Sequence, residues 1–191
     1  SEVTPGSNKK VWWKCDEGDD HEWVSMILNR SNGNHCPVCS GKKTVLSNCL
    51  ATLNPELAKE WHPDKNNDLT AYDVTPRSHK KAWWKCHKGD DHEWSTTINN
   101  RSIGGNCPVC SGRKTVLSNC LSTVNPALAK EWHPTKNKDV TPFDITNNSA
   151  RKAWWKCNQG DDHEWESTIY SRSNGTNCPI CTNQKVVLSN C

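Results

Sequence analysis

The chain has 191 residues, with 24 Lys+Arg against 21 Asp+Glu, a formal net charge of +3 and 33% hydrophobic side chains. Counting glycine, the apolar share is about 38%, below the roughly 45–50% of ordinary globular domains, which excludes one large apolar core for the whole chain. No run approaches the ~18 consecutive apolar residues of a membrane-spanning helix, and the 12 cysteines and 11 tryptophans point to small cysteine-organised bodies instead.

Self-similarity sets the frame. Trp-Trp-Lys-Cys ends at Cys15, Cys86 and Cys157, and His-Glu-Trp begins at His21, His92 and His163, each 71 residues after the last. Cys-Pro-x-Cys begins at Cys36, Cys107 and Cys178, and Val-Leu-Ser-Asn-Cys ends at Cys49, Cys120 and Cys191, with the same period. The pattern gives three Cys/His-rich modules, residues 1–49, 75–120 and 146–191, and two connecting segments, 50–74 and 121–145. The chain begins and ends inside the pattern and is expected to be an excerpt of a longer protein, so a targeting segment is not readable from it.

Each module opens with a predicted hairpin. Trp13, Cys15, His21 and Trp23 share parity about a turn at residues 16–20. Antiparallel pairing then sets Cys15 opposite His21 and Trp13 opposite Trp23 on one face, with Lys14 opposite Glu22 on the other. Lys85/Glu93 and Lys156/Glu164 repeat the charge pair. Opposed Cβ atoms lie about 4.5–5.5 Å apart, so one ion reaches both the thiol and the imidazole. An isoleucine expected on the second strand (Ile27, Ile98, Ile169) joins the tryptophans in a small core.

The Cys-Pro-x-Cys knuckle follows and aims two more thiols at one centre. The ligand sets predicted by the spacing are Cys15, His21, Cys36, Cys39; Cys86, His92, Cys107, Cys110; and Cys157, His163, Cys178, Cys181. Three thiolates and one imidazole make a closed, soft, tetrahedral site, the chemistry of structural zinc, whereas a catalytic zinc keeps a place open for water. A disulfide framework is the main alternative. Cysteine at about 6% falls below the ~8–10% of such scaffolds, and a histidine at fixed spacing has no role in one. An iron–sulfur cluster is the other metal alternative. The last cysteine of each module (Cys49, Cys120, Cys191) competes with the histidine for the fourth ligand place, or is a small buried apolar residue beside its neighbouring leucines. With so little apolar material, three structural Zn2+ ions are expected to supply the missing folding energy.

In the connectors, Asn54 reads as an N-cap with Pro55 at the first helical position. Leu57 and Trp61 share a helix face, and Pro63 ends the helix; Asn125, Pro126, Leu128, Trp132 and Pro134 repeat this. Helices this short need docking, so Leu57 and Trp61 are expected to pack on a neighbouring module. His62 and His133 read as helix-end residues rather than ligands.

The motifs Val-Thr-Pro-x-Ser-x-x-Lys-x-Trp-Trp-Lys-Cys, His-Glu-Trp, Cys-Pro-x-Cys-Ser-Gly-Arg-Lys and Asn-Pro-x-Leu-Ala-Lys-Glu-Trp-His-Pro-x-Lys-Asn resemble a tandem-repeat family of treble-clef or zinc-ribbon zinc fingers. The resemblance covers nearly the whole chain. It implies small α+β zinc-stabilised modules in arrays, sometimes beside endonuclease domains of the very-short-patch-repair type. Here that means three treble-clef or zinc-ribbon-like repeats joined by short helical connectors. By position it carries the family's ligands onto Cys15, His21, Cys36, Cys39 and their equivalents. Cys49, Cys120 and Cys191 depart from the family pattern, where another residue type is expected.

Basic residues frame each hairpin: Lys9, Lys10, Lys14 and Arg30; Lys80, Lys81, Lys85 and Arg101; Arg151, Lys152, Lys156 and Arg172. They are the candidate phosphate contacts to DNA or RNA, with tryptophans as candidate stacking platforms. An ordinary solvated face, and a protein-interaction or spacer role, are the alternatives; other domains of the same polypeptide are possible partners, a membrane is not. The paired acids of the Gly-Asp-Asp loops read as solvated, and no nucleophile triad, phosphate loop or His-Glu-x-x-His motif is present, so no enzymatic activity is expected. Thiolate centres imply a reducing, intracellular compartment.

Overall fold

The computed structural model describes residues 3–191, so the first two residues of the 1–49 module lie outside it. Each repeat is built on a two-stranded antiparallel hairpin. β1 (Lys10–Lys14) pairs with β2 (Glu22–Met26), β3 (Lys81–Lys85) with β4 (Glu93–Thr97), and β5 (Lys152–Lys156) with β6 (Glu164–Thr168). The register is the one that side-chain parity requires: Trp13 faces Trp23 and Lys14 faces Glu22, with the same pairs in both other copies. Cys15 N–H donates to His21 O at 3.1 Å, which carries the pairing on to the ligand pair. Alternation puts one tryptophan of each strand inside, and Trp84 and Trp155 are fully buried.

Ile27, Ile98 and Ile169 differ from the strand assignment. They open short helices, α1 (Ile27–Ser31), α4 (Ile98–Ser102) and α7 (Ile169–Ser173), and each drops its side chain into the core. Thr97 and Thr168 cap the second and third of these helices, accepting from Asn100 N–H and Ser171 N–H, whereas Met26 in the first copy has no side-chain cap. The knuckle then turns through a left-handed residue, Gly41, Gly112 and, in the third copy, Asn183 at φ 56°, a residue type that tolerates this conformation. A 3-10 turn (Leu46–Asn48, Leu117–Asn119) closes the module. Asn48 accepts from Val45 N–H and donates to Val38 O and Lys43 O, tying the turn back to the knuckle.

The connectors hold two short helices each: α2 (Leu50–Leu53) and α3 (Pro55–Ala58), then α5 (Leu121–Val124) and α6 (Pro126–Ala129). Asn54 and Asn125 cap α3 and α6 by accepting from Leu57 N–H and Leu128 N–H, at 3.3 and 3.1 Å. The helix does not continue to Pro63. It stops at Ala58, and Trp61 lies outside it, in an extended bridge to Trp84. A proline biases the residue before it toward extended backbone, and the outer edge of β3 offers hydrogen bonds that a helix has no means of using. Lys85 N–H donates to Glu60 O (2.8 Å) and His62 N–H to Trp83 O (3.1 Å). The third repeat matches, with Lys156 N–H to Glu131 O (2.7 Å) and His133 N–H to Trp154 O (3.0 Å). Each connector therefore adds a short third strand to the hairpin that follows it.

Side chains lock that strand in place. Trp61 meets Trp84 edge-on at 5.2 Å, and Trp132 meets Trp155 at 5.3 Å. Glu60 pairs with Arg101, and Lys65 with Glu93. His62 is buried rather than terminal. Its Nδ1 accepts from Asp64 N–H and Lys65 N–H, and its Nε2 lies 3.1 Å from Glu93 Oε1. Lys136, and then His133, hold the Glu164 carboxyl down at about 2 by hydrogen bonding.

The chain falls into two compact units: residues up to His87 together with Glu93–Gly105, and Lys88–His92 together with Asn106–Cys191. In the second, connector residues Leu121, Leu128 and Ile145 share one core with Trp155, Ile169 and Ile180. Among the described residues no helix is long and apolar enough to cross a membrane. Replacing Trp132 by Ala should cost up to about 3 kcal/mol and raise hydrogen exchange at Lys156 N–H. Asn125→Ala should cost about 1 kcal/mol; thermal denaturation with amide exchange checks both.

Candidate metal centre

The hairpin and the knuckle bring four donors together in every repeat. The sets are Cys15, His21, Cys36, Cys39; Cys86, His92, Cys107, Cys110; and Cys157, His163, Cys178, Cys181, and within each set the ligand atoms lie within 4.8 Å of one another. His21 Nδ1 is 3.4 Å from Cys39 Sγ and 3.9 Å from Cys36 Sγ. The corresponding distances are 3.4 and 3.9 Å at His92, and 3.3 and 3.9 Å at His163. Cys15 and Cys39 sulfurs are 3.6 Å apart, as are Cys157 and Cys181. A disulfide bond is about 2.05 Å long, so these are thiols crowded around a point.

The donor chemistry fits a metal ion. Ser47 Oγ donates to Asp20 Oδ1 at 2.7 Å, which turns a lone pair toward His21 Nε2 at 3.3 Å. The imidazole proton therefore sits on Nε2, and Nδ1 presents a lone pair to the thiols, the tautomer a metal requires. Ser118 with Asp91, and Ser189 with Asp162, repeat the relay. The serine hydrogen bonds hold all three carboxyls below the usual aspartate range. Loss of hydration, then the adjacent Cys15 and Cys36 thiols, push Cys39 up to about 12, and Cys181 rises to about 12 in the same way beside Cys157 and Cys178. Cys36 is shifted the other way: against its own loss of hydration, the hydrogen bonds it accepts from Cys39, Val38 and Cys15 lower it. A bound cation favours the thiolate form of all three cysteines in a set. Each set is thus suited to one ion, consistent with three structural zinc ions.

Asp20, Asp91 and Asp162 are a correction to their reading as solvated loop acids. They buttress the histidine through serines 27 residues away. The sequence signal was an Asp before every ligand histidine and a Ser two residues before every terminal cysteine. The glycine of the same loop is also explained: a Cβ on Gly18, Gly89 or Gly160 would stand 2.8, 2.6 or 2.7 Å from the histidine Cδ2. The terminal cysteines lie outside the donor sets. Cys49 and Cys120 are fully buried, each with its sulfur 3.3 Å from a carbonyl oxygen, Leu46 O and Leu117 O. Cys191 is exposed, unlike the buried residue expected.

A hairpin, a short helix, a Cys-Pro-x-Cys knuckle and a four-donor Cys3His set, repeated three times, define a zinc-finger array. The chain belongs to the family described as the probable treble clef zinc finger domain, whose model matches residues 1–42, 57–113 and 128–184. No curated protein matches it. The second and third matches begin inside the connectors, so the family's repeating unit contains the added strand as well as the hairpin it joins.

The basic residues separate into two groups. Lys9, Lys10, Lys80, Lys81 and Arg151 are exposed. Lys14, Lys85 and Lys156 face Glu22, Glu93 and Glu164 across the strands, and Lys152 pairs with Glu166 at 3.6 Å. Arg101 and Arg172 are corrections. Their side chains are 8% and 5% exposed, bound to Glu60 and Glu131 and stacked on two tryptophans each, so they serve the fold and not a phosphate. Arg30 likewise lies over Trp13 and Trp23.

Elemental analysis is expected to find three zinc ions per chain. His92→Ala should leave two, and Cys120→Ala should keep three. Ser118→Ala should weaken one site by about 10-fold, read by competition with a chromophoric chelator. Exhaustive chelation should abolish the hairpin circular-dichroism signal.

Proposed function

We propose that the chain is a non-enzymatic array of structural zinc fingers that binds nucleic acid, DNA first, through phosphate contacts. The observation that carries this reading is a groove of about 740 Å3 between the first knuckle and residues 73–80, which gathers Lys42, Arg77, His79 and Lys80 along one opening. All four are exposed. The carboxylate lining the groove, Asp73, is engaged by Thr70, whose N–H donates to it at 2.9 Å. A concave cationic surface concentrates potential and attracts polyanions.

The attraction is local rather than global. Three thiolates on Zn2+ leave each centre at about −1, so three loaded sites bring the formal +3 to about zero. Lys9, Lys10, Lys81 and Arg151 extend the cationic surface within their own repeats. Most tryptophans are core, which favours phosphate contacts over base stacking. A reducing intracellular compartment suits the thiolate centres. A protein-binding role is favoured by a different observation, the 73% exposure of Trp12.

Anisotropy titrations of zinc-loaded protein against duplex DNA, single-stranded DNA and RNA test the proposal. Affinity should fall steeply between about 50 and 200 mM salt, with a slope of about 0.9 per phosphate on duplex. Combined Lys42→Ala, Arg77→Ala and Lys80→Ala should flatten the slope by up to about three contacts. No binding of any of the three at about 50 mM salt overturns the reading, and unchanged binding by the triple variant removes the groove from it.

A further inference from the structure

The first hairpin carries the docking surface that the connectors cover on the second and third, and among the described residues nothing covers it. Trp12, Trp13, Lys14, Glu22 and Arg30 occupy the positions of Trp83, Trp84, Lys85, Glu93 and Arg101. Each is more open or lacks its partner. Trp12 is 73% exposed against 37% for Trp83, and Trp13 is half-buried where Trp84 and Trp155 are fully buried. The Glu22 side chain is 54% exposed against 25% and 26% for Glu93 and Glu164.

Arg30 stacks over Trp13 and Trp23 at 5.2 and 5.6 Å, much as Arg101 stacks over Trp84 and Trp94. No carboxylate among the described residues takes the place of Glu60 beside it. The backbone tells the same story. Lys85 N–H and Lys156 N–H bond to connector carbonyls, and Lys14 N–H has no such acceptor among the described residues. An open strand edge of this kind is a template for another chain.

We propose that the outer edge of β1 is an acceptor for a connector-type segment, Glu-Trp-His-Pro-x-Lys-Asn, which joins by strand addition. The occupant is a segment other than the two connectors within residues 3–191, both of which are already docked. Its Glu carbonyl takes the Lys14 N–H and its His N–H goes to Trp12 O. Its Trp lies edge-on to Trp13, its Glu carboxylate meets Arg30, and its His and Lys meet Glu22. Every one of these contacts is made twice elsewhere in the chain by identical residue types. Within β1 one position differs: Val11 stands where Ala82 and Ala153 are 2% and 4% exposed. It makes the first site tighter sterically, and its truncation should strengthen binding.

The test uses the zinc-loaded 191-residue chain, 15N-labelled, titrated with a synthetic peptide of residues 53–69. Saturable shifts are expected at Trp12, Lys14 and the Arg30 side chain, with Lys85 and Lys156 unmoved. A peptide with Trp61→Ala or Glu60→Gln should bind about tenfold or more weakly, and Val11→Ala in the chain should bind the parent peptide several-fold more tightly. As an intramolecular form, a copy of residues 50–71 placed ahead of Ser1 restores the 71-residue register. It should protect Lys14 N–H from exchange and raise the melting temperature, and Trp61→Ala in the added copy should cancel both. Absence of Lys14 protection in the fused chain overturns the proposal. So does equal binding by the Trp61→Ala peptide, or shifts at Trp12 and Lys14 that single-stranded DNA produces and the peptide does not.

Discussion

Four side-chain donors converging on one point are the constraint from which each repeat is built. Among the described residues the first module buries Trp23, Ile27 and Val38, with Trp13 and Val45 partly buried around Cys15 and Cys36. Burial on that scale does not offset the entropy of ordering a chain of this length. The donor set supplies what the core lacks, and most of the surrounding detail holds those donors still. The hairpin register presents a cysteine beside a histidine, the knuckle presents two cysteines, and the Asp–Ser relay fixes which imidazole nitrogen faces them. Even the loop glycine is part of this, since the imidazole ring lies against its Cα.

The second organising interaction is the strand that each connector adds. A two-stranded hairpin is marginal in water, and a third strand both extends the sheet and covers the inner tryptophans. The arrangement also accounts for charges that otherwise invite a binding interpretation. Arg101 and Arg172 sit in a cage of two indoles with a glutamate at its mouth. There the terminal guanidinium nitrogens bond to Glu60 and Gly105 O, or to Glu131 and Thr176 O, while the flat faces rest on aromatic rings and Nε is buried without a partner among the described residues. Exposed cations lie before each hairpin (Lys9, Lys10, Lys80, Lys81, Arg151, Lys152), after each knuckle (Lys42, Lys43, Arg113, Lys114, Lys185) and along the connectors.

Legibility in the sequence followed the physics of each element. The hairpin register could be read because parity in a strand is strict: Trp13, Cys15, His21 and Trp23 satisfy one pairing, and a slip of one residue would place ligands on opposite faces. The donor sets were legible because thiols and imidazole at fixed spacing have few other uses. The Asp20–Ser47 relay was not, since both residues recur in every repeat but nothing in their spacing says that they meet. The extended stretch at Trp61 was missed for a related reason. Leu57 and Trp61 carry helical spacing, and only the open edge of β3, a long-range feature, overrides it. Arg101 and Arg172 were misjudged because exposure depends on Glu60 and Glu131, 41 residues earlier.

The joint between connector and hairpin relies in part on main-chain hydrogen bonds, and its side chains are the same at both places where it occurs. The residues that make the joint are the same in both connectors and in both hairpins they join, so either connector offers the same contacts to either hairpin. Gene segments that recombine unequally between repeats would thus change the number of units while leaving every new junction already fitted. Array length is free to drift by whole modules without fresh compensating substitutions, which is a route by which a sequence with an uninterrupted 71-residue spacing can arise and persist.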